Sequence, residues 1–509
     1  MSGEYWKKEF LREKMTIIKS AQIIDGTGKP PFRADVLLKD DKISAIGSFP
    51  NKKADTVING LGYYLVPGFI DVNTDSDHYL SLFTNPSQKD FLLQGVTTII
   101  GGHCGSSLAP LLYGTLESIR KWTDINQINV DWHTIAELFK TLGQVKLGVN
   151  FGTLAGHSTI RRALIGEDLR DLTESELKIF QRILNQALEE GALGFSTGLG
   201  YAHSRLVPYN EIKALLPIVA KRGGVYTTHL RDETNGLLSS INETIKIARE
   251  TGVKTLISHL RPLVGYEKEF ENGLKLLEKS ATDLNLHFDT YPFDTSIVPI
   301  YTLLPLWAQN GGLEIMAANL SDPSIKNRII PELPNLKEND LVVAQAIGND
   351  YLVGKTLGEF AANRNLDLKS GLLELMTVAN LKALIFYKNV NLELVIKSLT
   401  SEKALLASNA ASLEESDKYI KHERGYNTFP RYLEINKTIP LETAIKKITL
   451  IPAEKFNLRG RGVIKEGNFA DLALISDNKI QQVLVSGQIA VSEGKSRNIA
   501  AGRILRGRG

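Results

Sequence analysis

GGVYTTHLRDETNGLLSSINETIKIARETGVKTLISHLRP, residues 223–262, contains two short apolar runs that each end in a histidine, with a helical stretch between them. VYTTH and TLISH are β-branched and apolar, as strands are. SSINETIKIARETG carries its apolar residues at helical spacing. Near-continuous apolar strands separated by helices indicate parallel strands that are covered on both faces. The rhythm recurs in VTTIIGG, VNFGTLAG, LGFSTGL and LHFDTYP, with ESELKIFQRILNQALEEG as a further helix. About eight such units suit an α/β fold, a (β/α)8 TIM-like barrel with insertions. The alternative is an open doubly wound sheet. No GxGxxG follows an early strand, so a dinucleotide-binding version has little support.

The two ends of the chain read differently. MTIIKSAQIIDGTG and RADVLLKDDKISAIG, from Met15 on, are short strands broken by turn residues. GVIKEGNFADLALIS and IQQVLVSGQIAVSEG repeat that pattern near the other end. Each half is short for an independent sheet. The expectation is one small β domain from residues 15–66 plus 457–507, with the barrel, 67–456, between its halves. Residues 1–14 read as a charged helical arm. A stretch at 292–345, rich in Pro, Gly and Asn, reads as an insertion over the barrel mouth.

Reactive side chains of such barrels sit at the C-terminal ends of the strands. His229 and His259 end successive strands, 30 residues apart (259 − 229). IIGGHCGSS puts His103 and Cys104 just past an earlier strand. One thiolate and two imidazoles form a common zinc ligand set that leaves a position for water. Taken singly, each residue is more often structural; a lone cysteine is usually a small buried apolar group. Three zinc-type ligands at three strand ends point to a metal site, and on spacing alone both readings stand.

Composition narrows the partners. In 509 residues, 60 Lys and Arg nearly balance 57 Asp and Glu, for a net charge of +3. That balance argues against nucleic acid or an anionic membrane. Cys104 is the only cysteine, so no intramolecular disulfide marks the chain as secreted. The charged start MSGEYWKKEFLREKM is unlike a signal peptide, and no apolar run approaches the roughly 18 residues of a membrane span. A soluble, cytoplasmic protein acting on a small molecule is expected.

Several segments together resemble the N-acyl-D-amino-acid deacylases (D-aminoacylases) of the amidohydrolase superfamily. They are VPGFIDV at 66–72, QGVTTIIGGHCGSSLAP at 94–110, GALGFSTGLGY at 191–201, GGVYTTHLRDE at 223–233, SHLRP at 258–262, DTYPF at 289–293, NTFPR at 427–431 and RGVIKEGNFADLALI at 461–475. The resemblance covers roughly residues 15–507 and implies a barrel with a small β domain made from both termini. It implies a zinc-dependent hydrolase of N-acyl-D-amino acids or a related linear amide. Cys104, His229 and His259 match the tight zinc site. Tyr201, Tyr291 and Arg424 match residues that position the substrate. Arg261 stands where a lysine beside the substrate carboxylate is usual, which exchanges a point donor for a fork. His157 matches a histidine near the site and is read as supporting it.

Two positions depart from the family. Its first strand ends in His-x-His, which supports a second, weaker metal; here Asn73-Thr74-Asp75 stands there. Asp75 is a further candidate ligand and Asn73 a supporting residue, and one zinc with the second site lost is expected. The family's Ser-Asp-Gly, whose aspartate moves the catalytic proton, reads Ser408-Asn409-Ala410. A neutral amide is no base at pH 7, and general acid–base catalysis typically contributes about 10²–10⁴-fold. Glu414, Glu415 and Asp417 follow closely but read as a solvated acidic loop. The alternatives are therefore an impaired pseudoenzyme that binds metal or an acylated amino acid, or a non-catalytic protein without metal. Dihydroorotases, hydantoinases and ureases are a weaker match, because several bridge two metals with a carbamylated lysine and none matches at Cys104.

Overall fold

The computed structural model describes residues 14–113, 116–280, 282–435 and 437–507. The expected helical arm falls, apart from Lys14, outside the described residues.

Eight strand positions form the parallel barrel: Phe69–Asp71, Val96–Gly101, Asn150–Gly156 (two pieces broken at Leu154), Gly194–Gly198, Val225–His229, Lys254–Ile257, Leu286–Thr290 and Ala404–Leu406. The third strand joins two sheets. Its first piece pairs with the second strand and its last residues pair with the fourth. The ring closes beyond the eighth strand, where the Asn409 N–H donates to the Asn73 carbonyl at 2.9 Å. The apolar runs are strands because both of their faces are covered: every residue of Val96–Gly101 and of Gly194–Gly198 is buried.

The crossover helices are amphipathic. Leu237–Thr251 buries Leu237, Ile241, Thr244, Ile245 and Ala248 at three- and four-residue spacing, and ends at Gly252 with φ 66°. Glu174–Glu189 starts at a capping box of Thr173 and Glu176.

Nine strands from both ends form a single sheet. Tyr64–Pro67 of the early segment pairs antiparallel with Leu472–Ser476 of the late one. Ile18, Leu38, Leu65, Leu472 and Leu484 share one core there. The chain passes from this sheet through Gly68 directly into the first barrel strand.

A third unit lies between the seventh and eighth barrel strands. Its antiparallel sheet of Thr295–Pro299, Ala383–Lys388 and Leu341–Ala346 has a separate core that includes Ile300, Phe360, Leu372 and Ile385. The unit continues to Lys388, well past the stretch at 292–345 expected from its Pro, Gly and Asn content. The extra length consists of ordinary amphipathic helices, Leu357–Ala362 and Leu368–Val378, whose pattern is that of the barrel's own helices. Among the described residues no helix is long and apolar enough to cross a membrane.

Candidate metal centre

Cys104 sits in a tight turn after the second strand, with φ 53°. The flanking glycines make that turn possible. Gly102 has φ 78°, and a Cβ on it would meet the Leu154 carbonyl oxygen at 2.3 Å. His229 is the last residue of the fifth strand. His259 lies two residues past the sixth strand in a left-handed conformation, φ 37°. The Asp289 carboxylate holds it there by accepting the His259 backbone N–H at 2.8 Å. Strained backbone of this kind persists where surrounding structure over-determines it.

These three side chains converge. Cys104 Sγ is 3.3 Å and His229 Nδ1 3.0 Å from His259 Nε2. All three candidate ligand atoms lie within 4.8 Å of one another, and no other such group of His, Cys, Asp and Glu occurs among the described residues. Bonds of about 2.0–2.3 Å to a tetrahedral zinc place ligand atoms roughly 3.3–3.8 Å apart, so the set fits one small cation. Burial, above all, pushes the His229 ring down to about 3, leaving a neutral imidazole with a lone pair to give. Burial pushes the Cys104 thiol up, so metal binding there would release its proton.

Around the three lies a polar shell. Asp289, raised to about 7 chiefly by burial, also faces Asn73 Nδ2 at 3.3 Å. Glu233 Oε1 is 3.3 Å from His259 Nδ1, and its Oε2 accepts from Arg261 Nη2 at 2.5 Å. Burial alone would raise the Glu233 carboxyl, but Arg261 and the two histidines hold it below the usual range. Arg261 Nη1 donates to Ser296 at 2.9 Å. Tyr201 packs its ring 4.8 Å from that of His229. Arg424 is 2% exposed, lies 4.7 Å from the Tyr291 ring and donates to the Asn409 carbonyl. Its Nε and Nη1 have no partner.

Asp75 is not among the three converging candidate ligands. Its Oδ1 is 3.1 Å from His78 Nδ1, and its Oδ2 accepts from Asn409 Nδ2 at 3.1 Å. Asn73 and Asn409 flank it, and all three are buried. His157 stands elsewhere: its Nε2 is 2.8 Å from Glu211 Oε1 and its ring packs on Phe180 and Phe195. Glu414, Glu415 and Asp417 are exposed.

Four polar residues of the site are absent from the candidates chosen on sequence: His78, Lys121, Glu233 and Asp289. Glu233 lies four residues after His229, and Asp289 opens the DTYPF segment, so both carried a positional signal. Lys121 carried none. Its Nζ lies 3.4 Å over the Tyr201 ring, and burial together with the neighbouring Arg162 charge lowers it to about 7.

No family model matches the chain. A D-aminoacylase of Alcaligenes xylosoxydans xylosoxydans is 28% identical over 90% of this chain and 87% of its own length. The N-acyl-D-aspartate and N-acyl-D-glutamate deacylases of that organism are 27% and 26% identical, over 94% and 97% of this chain. The crystal structure of a D-aminoacylase superposes with a TM-score of 0.79 at 27% identity, covering 96% of this chain and 99% of the other. The N-acyl-D-glutamate deacylase of Bordetella bronchiseptica, solved with zinc and a phosphonate inhibitor, shares the fold with a TM-score of 0.79 at 24% identity, over 97% of this chain and all of the other.

Proposed function

We propose that this chain, a relative of the N-acyl-D-amino-acid deacylases of the amidohydrolase superfamily, is a metal-dependent hydrolase of N-acyl-D-amino acids or a related linear amide. The observation that carries the reading is the convergence of Cys104, His229 and His259 at the barrel mouth, with ligand atoms within 4.8 Å of one another. One zinc held there would supply Lewis acidity, polarising the scissile carbonyl and acidifying the attacking water.

The residues around it would bind and orient the substrate. Arg424 offers two unpartnered guanidinium nitrogens beside Tyr291, a donor set suited to a carboxylate. Arg261 is differently placed. Its charge is already paired with Glu233, so its part is to hold Glu233 and Ser296 and to shape the pocket wall. Tyr201 covers His229 on the side facing Lys121.

The test is release of free amine from a panel of N-acyl-D- and N-acyl-L-amino acids by zinc-loaded protein. Turnover of the D-series that disappears in Cys104→Ala is expected. No release at high protein concentration from any member of the panel, with one zinc bound per chain, would overturn the reading. A second reading is favoured by one observation, the neutral amide at Asn409: a pseudoenzyme that binds an acylated amino acid and leaves it intact. Calorimetric binding of the same panel without amine release would establish it.

A further inference from the structure

We propose that Asp75 is the proton-transfer carboxylate of this site and that Asn409 is its positioning partner. This rests on the hydrolase reading above.

The buried carboxylates near the three converging ligands differ in what they are free to do. Asp71 accepts the Ser408 N–H at 3.1 Å and the Asn73 N–H at 3.2 Å, so it fastens the eighth strand to the first. Asp77 accepts the Gly102 N–H at 2.6 Å. Asp289 holds the His259 backbone, and Glu233 is neutralised by Arg261. Asp75 and Glu233 are held by side chains only, but Glu233 is taken up by the Arg261 guanidinium and His259, whereas Asp75 has His78 on one oxygen and the neutral Asn409 amide on the other. A carboxylate offers about four lone-pair sites, so each Asp75 oxygen keeps one acceptor position. Hydrogen bonds link Asp75 to the converging set: Asn409, on its Oδ2, donates its backbone N–H to the Asn73 carbonyl, and Asn73 Nδ2 faces Asp289, which holds the His259 backbone.

The geometry also fixes the charge of the cluster. His78 Nδ1 faces the Asp75 carboxylate at 3.1 Å, and its Nε2 faces the Ser106 carbonyl oxygen at 3.2 Å. Both partners only accept, so both ring nitrogens carry protons and His78 is an imidazolium. An imidazolium against Asp75 keeps that carboxylate ionised and ready to take a proton. Asn409, locked at φ 46° with its N–H on the Asn73 carbonyl, aims its amide at the other Asp75 oxygen. The sequence resemblance implies an acid at position 409, after the eighth strand. Here the carboxylate, Asp75, follows the first strand, and an amide isosteric with an acid, Asn409, follows the eighth and bonds to it.

The step balances. Asp75 takes one proton from water as the water oxygen bonds to the acyl carbon. The C–N bond then breaks, and Asp75 returns that proton to the leaving nitrogen. An amide and one water give a carboxylic acid and an amine.

Asp75→Asn is expected to lower kcat about 10²–10⁴-fold, while zinc content by elemental analysis and substrate affinity by calorimetry hold. The acid limb of the wild-type pH–rate profile is expected to vanish with it. The exchanged variant Asp75→Asn/Asn409→Asp is expected to recover at least tenfold over Asp75→Asn. In metal-free protein labelled with 15N-histidine, His78 is expected to show two protonated nitrogens at pH 7, and a single tautomer in Asp75→Asn. Unchanged turnover in Asp75→Asn, loss of its zinc, or a neutral His78 in the wild type would each overturn the proposal. A wild type that hydrolyses no amide would instead overturn the hydrolase reading.

Discussion

Arg261 and Glu233 form an ion pair at 2.5 Å inside the barrel mouth, and the same carboxylate stands 3.3 Å from His259. The guanidinium is thereby committed to the protein before any substrate arrives. Removing one partner of a buried pair leaves the other charge uncompensated and costs about 3–5 kcal/mol. Glu233→Gln is therefore expected to lower stability by that order, measured by denaturant unfolding of the zinc-loaded protein. Replacing both members with apolar residues of similar volume is expected to cost less than either single change.

Cys104→Ala is expected to remove the bound zinc, from about one equivalent per chain to none by elemental analysis. His157→Phe is expected to leave that count unchanged, because the His157 ring is engaged with Glu211 and two phenylalanines. Zinc loss in the His157 variant would show that the fourth strand and the helix after it govern the site.

Asp289 orients the candidate ligand His259 without belonging to the converging set. Residues in that relation to a metal typically matter about 10–100-fold in affinity. Asp289→Ala is expected to weaken zinc binding by that factor in a chelator competition assay. Asp289→Asn keeps an acceptor for the His259 N–H and is expected to recover most of it.

His78 links stability to pH. Burial opposes its charge, but Asp77 and Asp75 outweigh burial and raise it from 6.5 to about 9. A histidine raised on folding stabilises fully below its unfolded value, and that contribution fades as pH rises through the folded value. Stability is expected to fall by on the order of 3 kcal/mol between about pH 6.5 and 9. The decline should flatten in His78→Gln when unfolding is followed across that range.

The barrel and the two histidines of the candidate metal centre were legible because strand and helix periods alternate openly around them, and because His229 and His259 end runs that are apolar throughout. The two-ended sheet was legible because each half alone is too short to close. Other features depend on partners that only folding brings together. Asp289 looks like one more strand residue until the left-handed turn at His259 delivers a backbone N–H to it. His78 lies in a turn without periodicity, and only the turn's shape places it on Asp75. His157 follows a strand as a site histidine would, but its ring meets a glutamate 54 residues away. The extent of the third unit to Lys388 is hidden in the sequence because its helices carry the same amphipathic pattern as those of the barrel.

The pairing of Leu472 with Pro67 spans about 400 residues of chain. Contacts so distant in sequence slow folding far more than they weaken the folded state, since closure entropy grows only with the logarithm of loop length. Gly68, the residue after Pro67, donates its N–H to the Asp471 carbonyl at 2.8 Å, and the strand leading to Asn73 and Asp75 begins at Phe69. The Leu472–Ser476 strand and the residue before it thus anchor the first strand of the barrel. A chain lacking residues 472–485 would leave the Tyr64–Pro67 edge without its antiparallel partner, and the strand that leads to Asn73 and Asp75 would lose the anchor at its start.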